Sequence, residues 1–182
     1  MSEVLQRYRT IADGFTARLE GITADQWSAQ TPCSDWTAKD LVGHVVGVHR
    51  RMVAGLDGST PAEVDLDGDL GAEWQAASGA VLSALDDPAL ASKVISTPFG
   101  DQPFESVVGQ LVCTDTLVHT WDLATATGQN DQLDPDAVAK SMGFLEPLDE
   151  QIRFPGGFLP KIDPAPDADG QTRLLNFSGR GG

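Results

Sequence analysis

The stretch from Phe104 to Gly128 restricts the fold more than any other part of the chain. Phe104, Val108, Leu111 and Val118 recur at helical spacing and Gly128 stands where a helix C-cap falls, so the spacing predicts a single long helix. Continuing that stripe by threes and fours reaches Asp115, His119 and Asp122, which puts two carboxylates and an imidazole on the face that should meet the core. An ionised carboxylate facing apolar neighbours is costly unless it is paired or coordinates a metal. Residues four apart on a helix have Cβ atoms about 5–6 Å apart, so Asp115 and His119 can share one ion.

The rest of the chain supplies helices for this one to pack against. Val4, Leu5, Tyr8, Ile11, Ala12, Phe15 and Leu19 keep a 3.6-residue period, which predicts a first helix over Ser2 to Leu19. The segment around Ala-Gln-Thr-Pro-Cys-Ser reads as an irregular loop, and Thr37-Ala-Lys-Asp40 then has the spacing of a capping box that opens a second helix. Leu41, Val45, Val48 and Met52 are its expected inward stripe, with His44 among them. Gly55 to Gly71 reads as a loop, and Ala72 to Leu85 as a third helix through Trp74, Ala77, Val81 and Leu85, stopped at Pro88. Lys93–Thr97 and the Pro-Phe-Gly-Asp-Gln-Pro103 run after it suggest a short extended hairpin. Asp134-Pro135 opens a further helix to about Leu148. From Phe154 to Asp169 the chain is rich in proline and glycine and lacks regular periodicity, and Gln171 to Phe177 suits either a final turn of helix or a packed extended piece. The reading is therefore all-α, a four-helix bundle with a short hairpin. The domain expected is a single one over 1–182, with 154–182 an irregular extension wrapped over the bundle.

Charge and composition narrow the function. The 182 residues are 41% hydrophobic, enough for a real core, and the formal net charge of −15 argues against nucleic acid and anionic membrane surfaces. No apolar run reaches the length of a spanning helix and no signal-peptide order opens the chain, so the cytoplasm is the expected compartment. The two cysteines, Cys33 and Cys113, are far apart and form no CxxC, so free thiols are expected. Phosphate loops, nucleophile elbows and dinucleotide fingerprints are lacking, which leaves the chemistry to polar residues on helices.

Those residues suggest a divalent metal site of His44 with Asp115 and His119. Two imidazoles and one carboxylate leave open positions for water or substrate, the catalytic pattern for zinc. The alternative is a hydrogen-bonded core, since an acid-xxx-histidine pair also arises by chance. Scarcity favours the metal, because the chain has only three histidines and two fall on inward stripes. Asp122 could orient an imidazole N–H, hydrogen-bond a neighbouring element, or replace Asp115 as ligand. His49 lies about 140° around from His44 at roughly 100° per residue and reads as exposed. Cys113, about 200° from Asp115 by the same step, reads as a buried thiol. Cys33 has a similar reading, though a loop thiol beside a metal site could react. Trp36 and Trp121 read as packing residues, either of which could line a cleft.

The runs Thr31-Pro-Cys-Ser-Asp-Trp-Thr-Ala-Lys-Asp-Leu-Val-Gly-His44 and Asp115-Thr-Leu-Val-His-Thr-Trp-Asp-Leu-Ala124 resemble the DinB/YfiT-like metal-binding superfamily, in its branch related to mycothiol-dependent maleylpyruvate isomerase. Phe154-Pro-Gly-Gly and the closing Arg173-Leu-Leu-Asn-Phe-Ser-Gly-Arg180 are similar to the same branch. The resemblance implies a four-helix bundle whose metal is held by a histidine of the second helix and an acid-xxx-histidine pair of a later one, positions that fall on His44, Asp115 and His119. It also implies a metal-dependent, thiol-using transferase or isomerase, with mycothiol as co-substrate and a small electrophile as substrate. Zinc is the expected ion, nickel and iron the alternatives, and a homodimer is the assembly considered. The isomerase has Glu where this chain has Asp115, and it carries a C-terminal domain for which this chain has too few residues, so its own activity does not transfer. The competing expectation is a non-catalytic bundle that binds a metal or a small ligand.

Overall fold

The computed structural model describes residues 2–97, 100–153 and 157–181. The chain divides into two compact units, Met1–Asp131 and Gln132–Gly182. It is mainly helical, as the periodicity predicts, and among the described residues no helix is long and apolar enough to cross a membrane.

In the first unit, Ser2 caps α1 (Glu3–Glu20) by accepting from the Leu5 N–H, and Leu5, Tyr8, Ile11, Ala12, Phe15 and Leu19 form its buried stripe. The capping box before α2 (Ala38–Ala54) is present: Thr37 Oγ1 accepts from the Asp40 N–H, and the Asp40 carboxylate accepts from the Thr37 N–H. Asp69 caps α3 (Leu70–Asp86), which starts two residues before the expected Ala72 because an aspartate can cap one turn ahead of the first periodic residue. Asp87 then caps the short α4 (Pro88–Ala91). Strands β1 (Val94–Thr97) and β2 (Gly100–Pro103) pair antiparallel, with Val94 opposite Pro103 and Thr97 opposite Gly100. The Pro98-Phe99 turn expected between them lies outside the described residues.

The stretch expected as one helix from Phe104 is in fact α5 (Phe104–Val107), one π-helical turn (Val108–Val112) and α6 (Cys113–Thr127). Gly128 ends it at φ +65, a left-handed conformation that glycine adopts without a Cβ penalty. The four long helices pack in a ring: α1 touches α3 and α6, and α2 touches the same two. This is the expected four-helix bundle. Tyr8, Phe15, Trp74 and Phe104 are almost wholly buried at its centre, each burial worth about 1.5–3 kcal/mol.

One helix is rotated from its expected phase. Val42, Val45, Val46 and His49 of α2 are buried, while Val48 and Met52 are only half-buried. His49, expected on the surface, is a core residue because α2 lies between α3 and α6 and buries a wider face than one stripe.

In the second unit, Asp134 caps α7 (Pro135–Leu145), and a 3-10 stretch (Glu146–Ile152) takes over where helix was expected to reach Leu148. Pro147 lacks the N–H that a continuing α-helix would use there. Asp169 caps α8 (Gly170–Phe177), so Gln171–Phe177 is helix rather than an extended piece. Phe154, Pro155 and Gly156, part of a quoted motif, lie outside the described residues.

Candidate metal centre

α2, α6 and the loop between Ala29 and Thr37 each contribute to one cluster. His44 comes from α2, and Asp115, His119 and Asp122 come from successive turns of one face of α6. His44 Nε2 stands 3.2 Å from Asp115 Oδ1, and His119 Nε2 stands 3.5 Å from the same oxygen. The two imidazole rings lie 5.0 Å apart at a steep angle. Exposure falls along α6, with side-chain values of 26% for Asp115, 9% for His119 and zero for Asp122.

The loop is held by its own polar groups. Gln30 Nε2 lies within 3.0–3.3 Å of the carbonyls of Thr31, Cys33, Ser34 and Trp36, and Thr31 Oγ1 donates to those of Cys33 and Trp36. This brings the Trp36 indole against His44 at 4.4 Å and His119 at 5.6 Å between ring centroids. Trp36 therefore lines the site rather than only packing. Gln30 was not singled out in the sequence, since nothing in its local pattern shows where the amide points.

On the other edge of His119, Nδ1–H donates to Asp122 Oδ2 at 2.9 Å, and the Cys33 thiol donates to the same oxygen at 3.5 Å. Of the three readings open for Asp122, this geometry is that of an imidazole-orienting acceptor. Cys113 is buried, and burial pushes its thiol up to about 11 against the opposing pull of Arg7. It takes no part in the cluster.

Electrostatics couple the members. Burial disfavours the charged form of Asp115, but the imidazoles of His119 and His44 outweigh it and hold the carboxyl well below its usual range. Burial likewise opposes charge on His119, yet Asp115 and the acceptor Asp122 raise its pKa well above the ordinary histidine value. The cause is geometric. With Nδ1–H committed to Asp122, Nε2 can face the Asp115 oxygen only as an N–H or with a cation between two lone pairs.

That arrangement fits a divalent ion. One donor atom each from His44, Asp115 and His119 lies within 4.8 Å of the others. Asp115 Oδ2 is buried and has no hydrogen-bond partner among the described residues, an expensive state for a carboxylate oxygen unless a cation takes it. Cys33, His119 and Asp122 also group within the same span, but their polar atoms already hydrogen-bond to one another and read as support for the first set.

Comparison with known proteins bears on the same residues. The family model described as the mycothiol maleylpyruvate isomerase N-terminal domain matches residues 8–124, which include the whole cluster. An uncharacterized Mycobacterium tuberculosis protein, present in strains CDC 1551 and H37Rv, is 35% identical over 179 residues, covering 97% of this chain and 97% of its own. No solved structure matches the chain.

Proposed function

Because this chain belongs to the mycothiol maleylpyruvate isomerase N-terminal domain family, we propose that it holds a divalent metal ion, zinc foremost, between His44, Asp115 and His119. We further propose that it acts there on a small electrophile with a low-molecular-weight thiol, for which mycothiol is the candidate. The observation that carries this reading is the convergence of two imidazole Nε2 atoms on one Asp115 oxygen, while the other oxygen is buried without a hydrogen-bond partner among the described residues.

An ion held there would supply Lewis acidity, lowering the pKa of a thiol brought to it so that thiolate is available near neutral pH. The remaining work falls to the chain. Asp122 accepts the His119 Nδ1–H and keeps Nε2 turned toward Asp115, the way carboxylates orient ligating imidazoles. Trp36 lies against both rings and excludes water from that side. Among the described residues the group contains no fourth His, Cys, Asp or Glu, which leaves room for an incoming thiol. The nucleophile comes from outside the chain on this reading, since burial keeps Cys113 protonated and the Cys33 thiol donates to Asp122.

Elemental analysis and calorimetric metal titration test the site. His44→Ala and His119→Ala should each abolish stoichiometric binding with helical content preserved, and Asp115→Asn should weaken it markedly. Full occupancy in either histidine variant removes the site as drawn. The thiol step is tested with cobalt-loaded protein and mycothiol, where a thiolate-to-metal charge-transfer band that needs His44 is expected. If no thiol perturbs the cobalt spectrum and none alters turnover of any electrophile tried, a non-catalytic binding protein becomes the better account.

A further inference from the structure

α5 and α6 would be one helix but for the turn Val108–Val112, whose backbone bonds span i to i+5. A straight α-helix from Phe104 would put Asp115 about 20° around from it, at roughly 100° per residue. Phe104 and Val108 are both fully buried, so the carboxylate would point into hydrocarbon. A π turn takes up one residue more than an α turn, which rotates everything downstream by roughly 100°. Asp115 instead faces His44 with 26% of its side chain open to solvent, and Leu111, which a straight helix would draw into the core, is only half-buried. The π turn thus decides whether the acid is a core defect or a ligand.

Something must hold that wide turn, and α1 provides it. Arg7 Nη2 donates to the Gly109 carbonyl at 3.1 Å, inside the π turn, and the guanidinium also lies beside the Cys113 thiol at the start of α6. The Arg7 side chain is only 15% exposed, with Glu3 3.4 Å away on its own helix. A Cβ at Gly109 would come within 3.0 Å of Arg7 Nη2 and 3.1 Å of Val4 Cγ2, so α1 approaches bare backbone there. A side chain that engages a helix's backbone ladder at such a bulge is a recognised cause of a change in helix course.

We infer that Arg7 is a positioning residue: it holds the π turn at Gly109 and so sets the rotation of α6 that delivers Asp115 to His44. The inference rests on the reading of His44, Asp115 and His119 as ligands. It has a sharp consequence. Deleting Gln110, a half-buried residue of the π turn, removes the extra residue, so an ordinary α turn joins the same two flanks in the same rotation. Asp115 keeps its place, and Arg7 has no wide turn left to hold.

The experiment compares wild type, Arg7→Met, the Gln110 deletion and the two combined, each at full length. Cobalt(II) titration is followed by its d–d absorption, and metal-free samples are examined by long-range 1H–15N NMR of the imidazoles. Arg7→Met should keep its helical circular dichroism but bind cobalt about tenfold or more weaker, with a changed d–d band, the scale on which residues supporting a metal ligand act. The deletion and the combined variant should both bind as wild type does. Native affinity and band in Arg7→Met overturn the inference, as does a site lost on deletion alone or lost again when Arg7→Met is added to the deletion. Should Arg7→Met fail to fold, the deletion and the combined variant decide the matter between them. Should wild type take up no ion, the ligand reading fails, yet the metal-free His44 and His119 signals still report the carboxylate beside them. Those signals should move in Arg7→Met and return in the combined variant, and unmoved signals overturn the role of Arg7.

Discussion

Two histidines show opposite consequences of burial. His119 is nearly buried but faces Asp115 and donates to Asp122, so its pKa rises despite desolvation and the imidazolium is favoured in the metal-free protein. A divalent ion must displace that proton, because a ligating imidazole is neutral. Metal binding should therefore release protons and weaken as pH falls. Calorimetry in buffers of different ionisation enthalpy reads this directly, and a binding enthalpy independent of buffer would contradict it. His49 is the reverse case. It lies in the core between Tyr8 and Trp74, Nδ1–H donates to the Val45 carbonyl at 2.8 Å, and its Nε2 has no hydrogen-bond partner among the described residues. Burial pushes its pKa down to about 4, against a smaller upward pull from the Val45 carbonyl. The folded value lies below the unfolded one, so the stabilisation from keeping this ring neutral is fully present above about pH 6.5 and is lost as pH falls toward 4. That shift corresponds to about 3 kcal/mol. Urea unfolding of metal-free protein between pH 7.5 and 4.5 should show this limb, and His49→Phe should flatten it; equal slopes in the two proteins would assign the acid sensitivity elsewhere.

Among the elements, α2 links local signals to the site. Its capping box at Thr37 and Asp40 follows directly on the loop that carries Cys33 and Trp36, and an isolated bridge between Gln30 and Thr37 closes that loop's base. The Thr37 hydroxyl thus starts the helix holding His44, while its backbone, with Gln30 and Thr31, closes the loop that lays Trp36 on the imidazoles. Thr37→Ala should cost about 1 kcal/mol of stability, the usual loss for a removed N-cap. Denaturant unfolding measures that cost, and metal affinity should stay near the wild-type value, because the backbone bridge and the bonds of Gln30 and Thr31 to the Trp36 carbonyl survive the substitution. A marked loss of affinity in this variant would show that the cap also positions the loop.

For the whole molecule, the net charge of −15 is the dominant long-range property. Self-repulsion of this size opposes the compact state and is screened by salt, with a Debye length of about 10 Å at 0.1 M. The melting temperature of the metal-free protein should therefore rise between low salt and about 0.5 M of a weakly interacting salt. A falling melting temperature would mean that attractive pairs, such as Lys39 with Asp67 at 2.7 Å, outweigh the repulsion.

The sequence by itself determined the long helices and several of their caps, and it named the residues proposed for the site. A helix is specified by partners three and four residues away, and a cap by a few neighbouring positions, so Thr37, Asp134 and Gly128 could be read without knowing the fold. Scarcity, likewise a local reading, singled out His44, Asp115 and His119 as candidates. Rotation about each helix axis was decided only by tertiary structure, because it depends on which neighbours lie alongside. Contact with both α3 and α6 drew His49 into the core and left Val48 at its margin, and a π turn against Arg7 removed Asp115 from the stripe of Phe104 and Val108. A constant step of roughly 100° per residue carries no sign of an extra residue in a turn. The contact between residues 7 and 109 that accompanies it is too distant in sequence for any periodicity to show.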